Sequence, residues 1–224
     1  LIVVLFSLWA AKFDKARKTQ NYVPGRFQLL GELGLNFVRK NIAHEQLGQK
    51  DGDRFLPLLT TIFFTVLLMN LTGVIPGLNI SGTSVIGLPL VLAAAAYVTF
   101  IYAGIKQNGL RFFTTALFPA GVPAPMYVLL TPIEFISTFV LRPVTLTVRL
   151  LMNMLVGHLL LVLAFSATHY FVFYTDGLSM LFGAGTLVFG LAYTLFELLV
   201  SVLQAFVFTI LTTVYIQLAL AEEH

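Results

Sequence analysis

Arg149 lies in TLTVRLLMNMLVGHLLLVLAFSA, an apolar run that is long enough to span a bilayer and holds no carboxylate. A guanidinium keeps its proton even there, because its pKa exceeds about 12. An ionisable side chain inside a membrane is costly, and its usual role is in an ion path. At about 100° per residue, Arg142, Thr145, Asn153 and Thr138 fall within about 40° of Arg149, and Glu134 within about 60°. These residues make a polar stripe about 30 Å long, from Glu134 to Asn153. On a second apolar run, Glu197, Ser201, Gln204 and Tyr215 share a face, with Tyr193 at its edge. A single intramembrane charge is often a helix-packing device. Two stripes carrying both charge signs suit a proton or ion path.

Folding the two runs back on each other at Asp176-Gly177 sets Arg149 near the depth of Gln204, and His158 near that of Glu197. The two pairings differ by about 3 Å of helical rise. His158 falls on the face opposite Arg149, so pairing it with Glu197 requires a kink or a channel running behind the arginine. Each residue also has a structural alternative. Arg149 can donate to helix carbonyls, His158 can be a satisfied interhelical histidine, and Arg142 can snorkel to an interface. His169 and Asp176 read as solvated turn residues, and His44 carries no signal.

Composition gives the elements that must hold these groups. The chain is 58% hydrophobic and 10% charged, with a mean hydropathy of +0.91. Soluble domains run nearer 25% charged. Apolar stretches of about 20 residues recur, so the sequence predicts a polytopic all-α membrane protein. Cysteine is absent, which excludes disulfides and thiolate chemistry. No nucleotide-binding loop, HExxH or GxSxG is present, so no cofactor, metal or catalytic centre is expected. The net charge of +3 is a topology signal and not a nucleic-acid one: the basic residues gather before Phe55, and the apolar stretch that follows contains none. The chain begins at Leu1 without a methionine, which predicts a missing or processed N-terminal segment.

The whole chain reads as one polytopic domain. Residues 1–18 form the end of a first span and a basic stop, and residues 24–50 an amphipathic surface segment. In that segment Phe27, Leu30, Leu33, Gly34, Phe37 and Val38 lie opposite Glu32, Asn36, Arg39 and Lys40. Residues 55–75 and 88–105 are spans. Basic residues flank the ends that face one side, which the positive-inside rule makes cytoplasmic, or the matrix or stroma side in an organelle. Residues 125–168 and 177–221 are each about 65 Å long as helices, twice a bilayer's need. They are expected to be long, strongly tilted helices forming a hairpin able to wrap a cylindrical partner, with Pro132 and Pro143 as possible kinks in the first. The total is about four membrane-spanning segments plus the surface helix.

PIEFISTFVLRPVTLTVRLLMNMLVGHLL followed by FELLVSVLQAFVFTILTTVYIQLALAEEH closely resembles the subunit a family of the F-type ATP synthases. The spacing R-L-x-x-N-x-x-x-G-H with a later E-x6-Q-A-F-x-F is specific, and MNLTGVIPG from Met69 resembles the family's second membrane segment. The resemblance implies a non-catalytic stator subunit beside a rotating ring of c subunits, tied to peripheral-stalk b subunits in the bilayer. Protons would enter by one half-channel, ride the ring and leave by another, driving ATP synthesis. It makes Arg149 the essential arginine between the half-channels, facing the ring carboxylate. Asn153, His158, Glu197 and Gln204 match polar positions of the inlet side, and Glu134, Ser137 and Arg142 those of the outlet side. Many bacterial members carry glutamate then histidine where this chain has His158 then Glu197, an order familiar from mitochondrial members. Some bacterial members place a carboxylate where this chain has Gly73. A bacterial plasma membrane is the expected location, with the mitochondrial inner membrane as the alternative.

Two other classes compete. A secondary transporter would show internal repeats and broken helices at mid-membrane, and no convincing repeat is present. A scaffold subunit would leave the stripes through Arg149 and Glu197 without purpose.

Overall fold

The computed structural model describes residues 26–74, 85–109, 112, 126–177 and 180–220. The expected first span, residues 1–18, lies outside them. The described chain is helical. Helix α1 is Arg26–Val38 and passes through a π-helical turn, Arg39–His44, into α2, Glu45–Val74. Helix α3 is Gly87–Asn108 and α4 is Tyr127–Phe135. A second π-helical stretch, Ile136–Leu141, joins α4 to α5, Arg142–Phe173, and α6 is Met180–Leu220. Among the described residues, four helical stretches are long and apolar enough to cross a membrane: Gly31–Val74, Gly87–Gln107, Leu129–Phe173 and Met180–Leu220.

The N-terminal part of the Gly31–Val74 stretch does not run straight. At Gly48 the backbone adopts φ 72° and ψ 180°, a conformation open in practice to glycine alone, and the chain reverses there. The π-helical turn therefore folds back on the start of α2, burying Val38, Ile42 and Ala43. His44 Nε2 lies 2.9 Å from Asp53 Oδ1 across the reversal, and Arg39 Nε lies 3.7 Å from the same oxygen. The apolar face read from sequence only partly matches this burial, since Leu33 and Phe37 remain exposed. Phe37 nevertheless lies against Phe63 and Phe206, with ring centroids 6.1 Å and 5.8 Å away.

Helix α6 packs against α2, α3 and α5, so it forms the centre of the bundle. Bilayer chains are as apolar as leucine, and helices in a membrane cohere through close packing. Small residues permit it here: Ala93, Ala96 and Ala103 on α3 and Ala205 and Ala219 on α6 are all buried. Phe208, Leu59, Leu150 and Ile216 fill the space between them. Outward-facing Val91, Val98, Leu163, Leu181 and Leu195 are exposed, as befits surfaces meeting lipid or a membrane partner.

Charged ends confirm how the helices run. Lys106 Nζ lies 3.3 Å from the Tyr102 hydroxyl, to which Arg54 also hydrogen-bonds. The start of α2 and the end of α3 therefore share one side, the basic one. Helices α5 and α6 run antiparallel in a single register. Gly183 meets Phe171 and Val172, Thr186 meets Thr168, Gly190 meets Phe165, and Glu197 meets Gly157. Positions rise along α6 as they fall along α5. Pro132 lies inside α4 and Pro143 at the start of α5, and the chain between them stays helical. Neither ring nitrogen can donate, and the backbone between them widens into the π-helical stretch.

Candidate functional site

The long helices bring four of the sequence-derived residues to one cavity. Arg149 and Asn153 from α5 and Glu197 and Gln204 from α6 line a cavity of about 470 Å³. Glu197, Ser201 and Gln204 are buried, so the polar face read on α6 is its packed face. The threonines further along that face satisfy themselves. Thr209, Thr212 and Thr213 donate to the carbonyls of Ala205, Phe208 and Thr209 at 2.8–2.9 Å. That pattern fits helix structure and carries no chemistry. Gln204 differs, because its buried Nε2 has no hydrogen-bond partner among the described residues. Buried polar groups are ordinarily hydrogen-bonded, so this amide, on the wall of the Arg149 cavity, stands out.

Arg149 is exposed, and so are Val148, Met152, Leu155 and Val156 around it. A fixed positive charge therefore sits on an outward apolar face. Among the described residues it makes no ion pair. In plain lipid a guanidinium at such a position costs about 2.5–3.5 kcal/mol or more. Glu197 lines the same cavity, and the exposed face leaves the guanidinium open to groups outside this chain.

Glu197 is held from two directions. Its carboxyl group occupies the place a Cβ would take on Gly157, so glycine at 157 leaves room for the carboxyl in this position. One turn earlier on α6, Tyr193 hydrogen-bonds to it. The Tyr193 ring is itself flanked by Phe189 and Phe196, at 6.0 Å and 5.8 Å between centroids. Tyr193 also lines the Arg149 cavity.

His158 follows Gly157 and faces the other way, as the helical angles require. It lines a second cavity, of about 770 Å³, with Ser166, His169 and Thr194 as the other polar side chains. Its Nδ1 is buried and has no hydrogen-bond partner among the described residues. Gly73 and Val74 at the far end of α2 close this cavity, which places it toward the side opposite the basic residues. Glu197 and Gly157 thus stand where the two cavities come nearest along the helix pair. His169, read from sequence as a solvated turn residue, is exposed and also part of the cavity wall. The signal for it was present: residues 158, 162, 166 and 169 recur at helical spacing on one face.

Glu134, Ser137 and Arg142 lie elsewhere. Glu134, at the end of α4, and Ser137, in the π-helical stretch, are half-buried. The Arg142 guanidinium sits over the Phe100 and Tyr215 rings, 5.5 Å and 5.3 Å from their centroids. Such contacts are worth about 0.5–2 kcal/mol each. They hold the charge toward the basic side and not at the Arg149 cavity. Among the described residues no group of three or more metal-ligating side chains is present.

Comparison with known proteins places this geometry in a family. The sequence profile of the ATP synthase A chain family matches residues 1–217. ATP synthase subunit a of Rhodococcus erythropolis is 54% identical over all of this chain and 82% of its own length. The subunit a of Pseudarthrobacter chlorophenolicus is 42% identical, covering 100% of this chain and 85% of that protein. The subunit a of Streptomyces lividans is 38% identical, covering 100% of this chain and 77% of that protein. With the family's profile matching nearly end to end, and relatives aligned over the full chain, this multi-pass membrane protein belongs to the ATP synthase A chain family.

Proposed function

We propose that the chain conducts protons through two offset half-channels at its interface with a ring of c subunits, coupling the proton gradient to rotary ATP synthesis. The observation that carries the reading is the position of Arg149. Its charge lies on an outward apolar face and at the wall of the cavity that holds Asn153, Glu197 and Gln204. Family membership favours this reading over a secondary transporter or a passive scaffold.

The residues divide by side. Protons reach the larger cavity from the side of the turn between α5 and α6, and pass His158 and Glu197 to a carboxylate on the ring. Asn153 and Gln204 offer hydrogen bonds along that inlet. Arg149 then meets the ring carboxylate after it has lost its proton. Opposite unit charges about 4 Å apart attract by about 4 kcal/mol at an effective dielectric near 20, several times thermal energy. The fixed charge favours the ionised carboxylate and so drives proton release. It also repels a proton attempting to pass directly between the half-channels. Glu134, Ser137 and Arg142 line the outlet on the basic side, which is supported by the Arg142 contacts near the Lys106 end of α3.

The subunit itself catalyses no bond-making step. Its partners are the c-ring, the peripheral-stalk b subunits and the bilayer, and the bacterial relatives support the plasma membrane as its location. Purification in mild detergent tests the reading. The chain is expected to co-isolate with a small oligomeric subunit that carries a buried carboxylate. A monomer that conducts protons alone would contradict it.

A further inference from the structure

Beyond the path just described, and resting on that reading of the chain, we infer that His169 is the proton-collecting group at the outer mouth of the His158 cavity, exchanging protons between external buffer and the cavity's interior.

His158 and His169 line the same cavity, on one face of α5. They differ in exposure. His158 is half-buried with its Nδ1 buried, whereas His169 is exposed beside the turn into α6. Along the helix they are separated by about 16 Å. Ser166 and Thr194 supply hydroxyls between them, and the volume of about 770 Å³ exceeds by far the ~30 Å³ that each water takes. The His169 ring is flanked by Phe173 and Tyr174, at 4.9 Å and 5.9 Å between centroids. The titratable groups around it are Tyr170, Tyr174 and Asp176 of the same end of the hairpin, with His158 deeper in. The residues that α2 and α6 contribute to the cavity wall (Gly73 and Val74, Leu191 and Thr194) add no titratable group.

Supply is the reason such a group matters. At about pH 7 free protons are near 0.1 μM, so even at a diffusion limit of about 10⁹–10¹⁰ M⁻¹s⁻¹ they reach one site only about 10²–10³ times a second. Buffer acids are present at far higher concentration, and an exposed acceptor at the cavity's mouth can take protons from them. Imidazole is the side chain that gains and loses a proton between about pH 5 and 8, so it can take from buffer and give to water. A buffer acid passes its proton to one ring nitrogen and leaves as its conjugate base. The imidazolium then releases the proton on its other nitrogen into the cavity, and tautomer exchange or ring rotation restores the starting state. No net charge stays on the residue.

The test uses the intact ATP synthase in sealed membrane vesicles. Rates of ATP synthesis are measured at about pH 7.5 while buffer concentration on the turn side is varied, for His169→Ala and His169→Gln. Both variants are expected to run several-fold below the parent in dilute buffer and to recover when free imidazole is added on that side. The parent is expected to respond little to imidazole. Parent-like rates in dilute buffer overturn the inference, and so does a slowdown that imidazole does not reverse. If the alanine variant fails to assemble, the glutamine variant, which keeps the bulk and hydrogen bonding, carries the same two outcomes. Glu197→Gln is measured alongside. An unchanged rate there removes the underlying transport route, whereas a slowed Glu197→Gln with parent-like His169 variants removes only the collector.

Discussion

The carboxyl group of Glu197 on α6 occupies the place that a side chain would take at Gly157 on α5. A helix contact and the residue proposed to carry protons are thereby one feature. The group in the way is the flexible end of a side chain, so Gly157→Ala is expected to displace the carboxylate and leave the bundle folded. Proton-driven synthesis should fall severalfold with normal assembly. Shortening the acid with Glu197→Asp in that background should recover part of the rate. Normal synthesis in Gly157→Ala alone would show that this contact does not position the acid.

Glu197→Gln keeps shape and hydrogen bonding and removes the titrating group. Slower proton uptake by de-energised vesicles is expected, with a loss on the order of 10²-fold if the carboxyl acts as a relay acid and base. Uptake equal to the parent's across pH 6–9 would take Glu197 off the path.

Arg142 is held by the Phe100 and Tyr215 rings. Replacing both with leucine is expected to remove about 1–3 kcal/mol of restraint on its charge. Proton release toward the basic side should slow while inlet-side uptake is unchanged. An equal effect on both sides would mark the pair as general packing.

Gly48 adopts a backbone conformation that costs other residues about 1–3 kcal/mol. Gly48→Ala is expected to loosen the fold-back of residues 39–44 on α2, read as faster amide hydrogen exchange there. Unchanged exchange would mean that the reversal does not depend on the glycine.

Long apolar helices were legible in the sequence because bilayer thickness fixes their length and composition. The antiparallel level of His158 and Glu197 was legible too, since the turn at Asp176-Gly177 and a constant rise of the helix are enough to set it. Burial of the fold-back was not. It depends on one glycine torsion at 48 and on which of several apolar faces α2 offers. The place of His169 in the cavity wall was masked by its nearness to a turn, where solvation is the ordinary expectation, although its helical spacing from His158 carried the signal. Arg142 read as one more member of the Arg149 stripe, because helical angles carry no information about rings on α3 and α6. The unsatisfied amide of Gln204, against the self-satisfied threonines beyond it, likewise needed atomic positions.

Arg149→Ala in membrane vesicles tests the central claim most directly. ATP synthesis driven by an imposed proton gradient is expected to vanish, with the catalytic heads still bound and hydrolysing ATP. Coupled synthesis retained in that variant would contradict the assignment of Arg149 as the charge that separates the two half-channels.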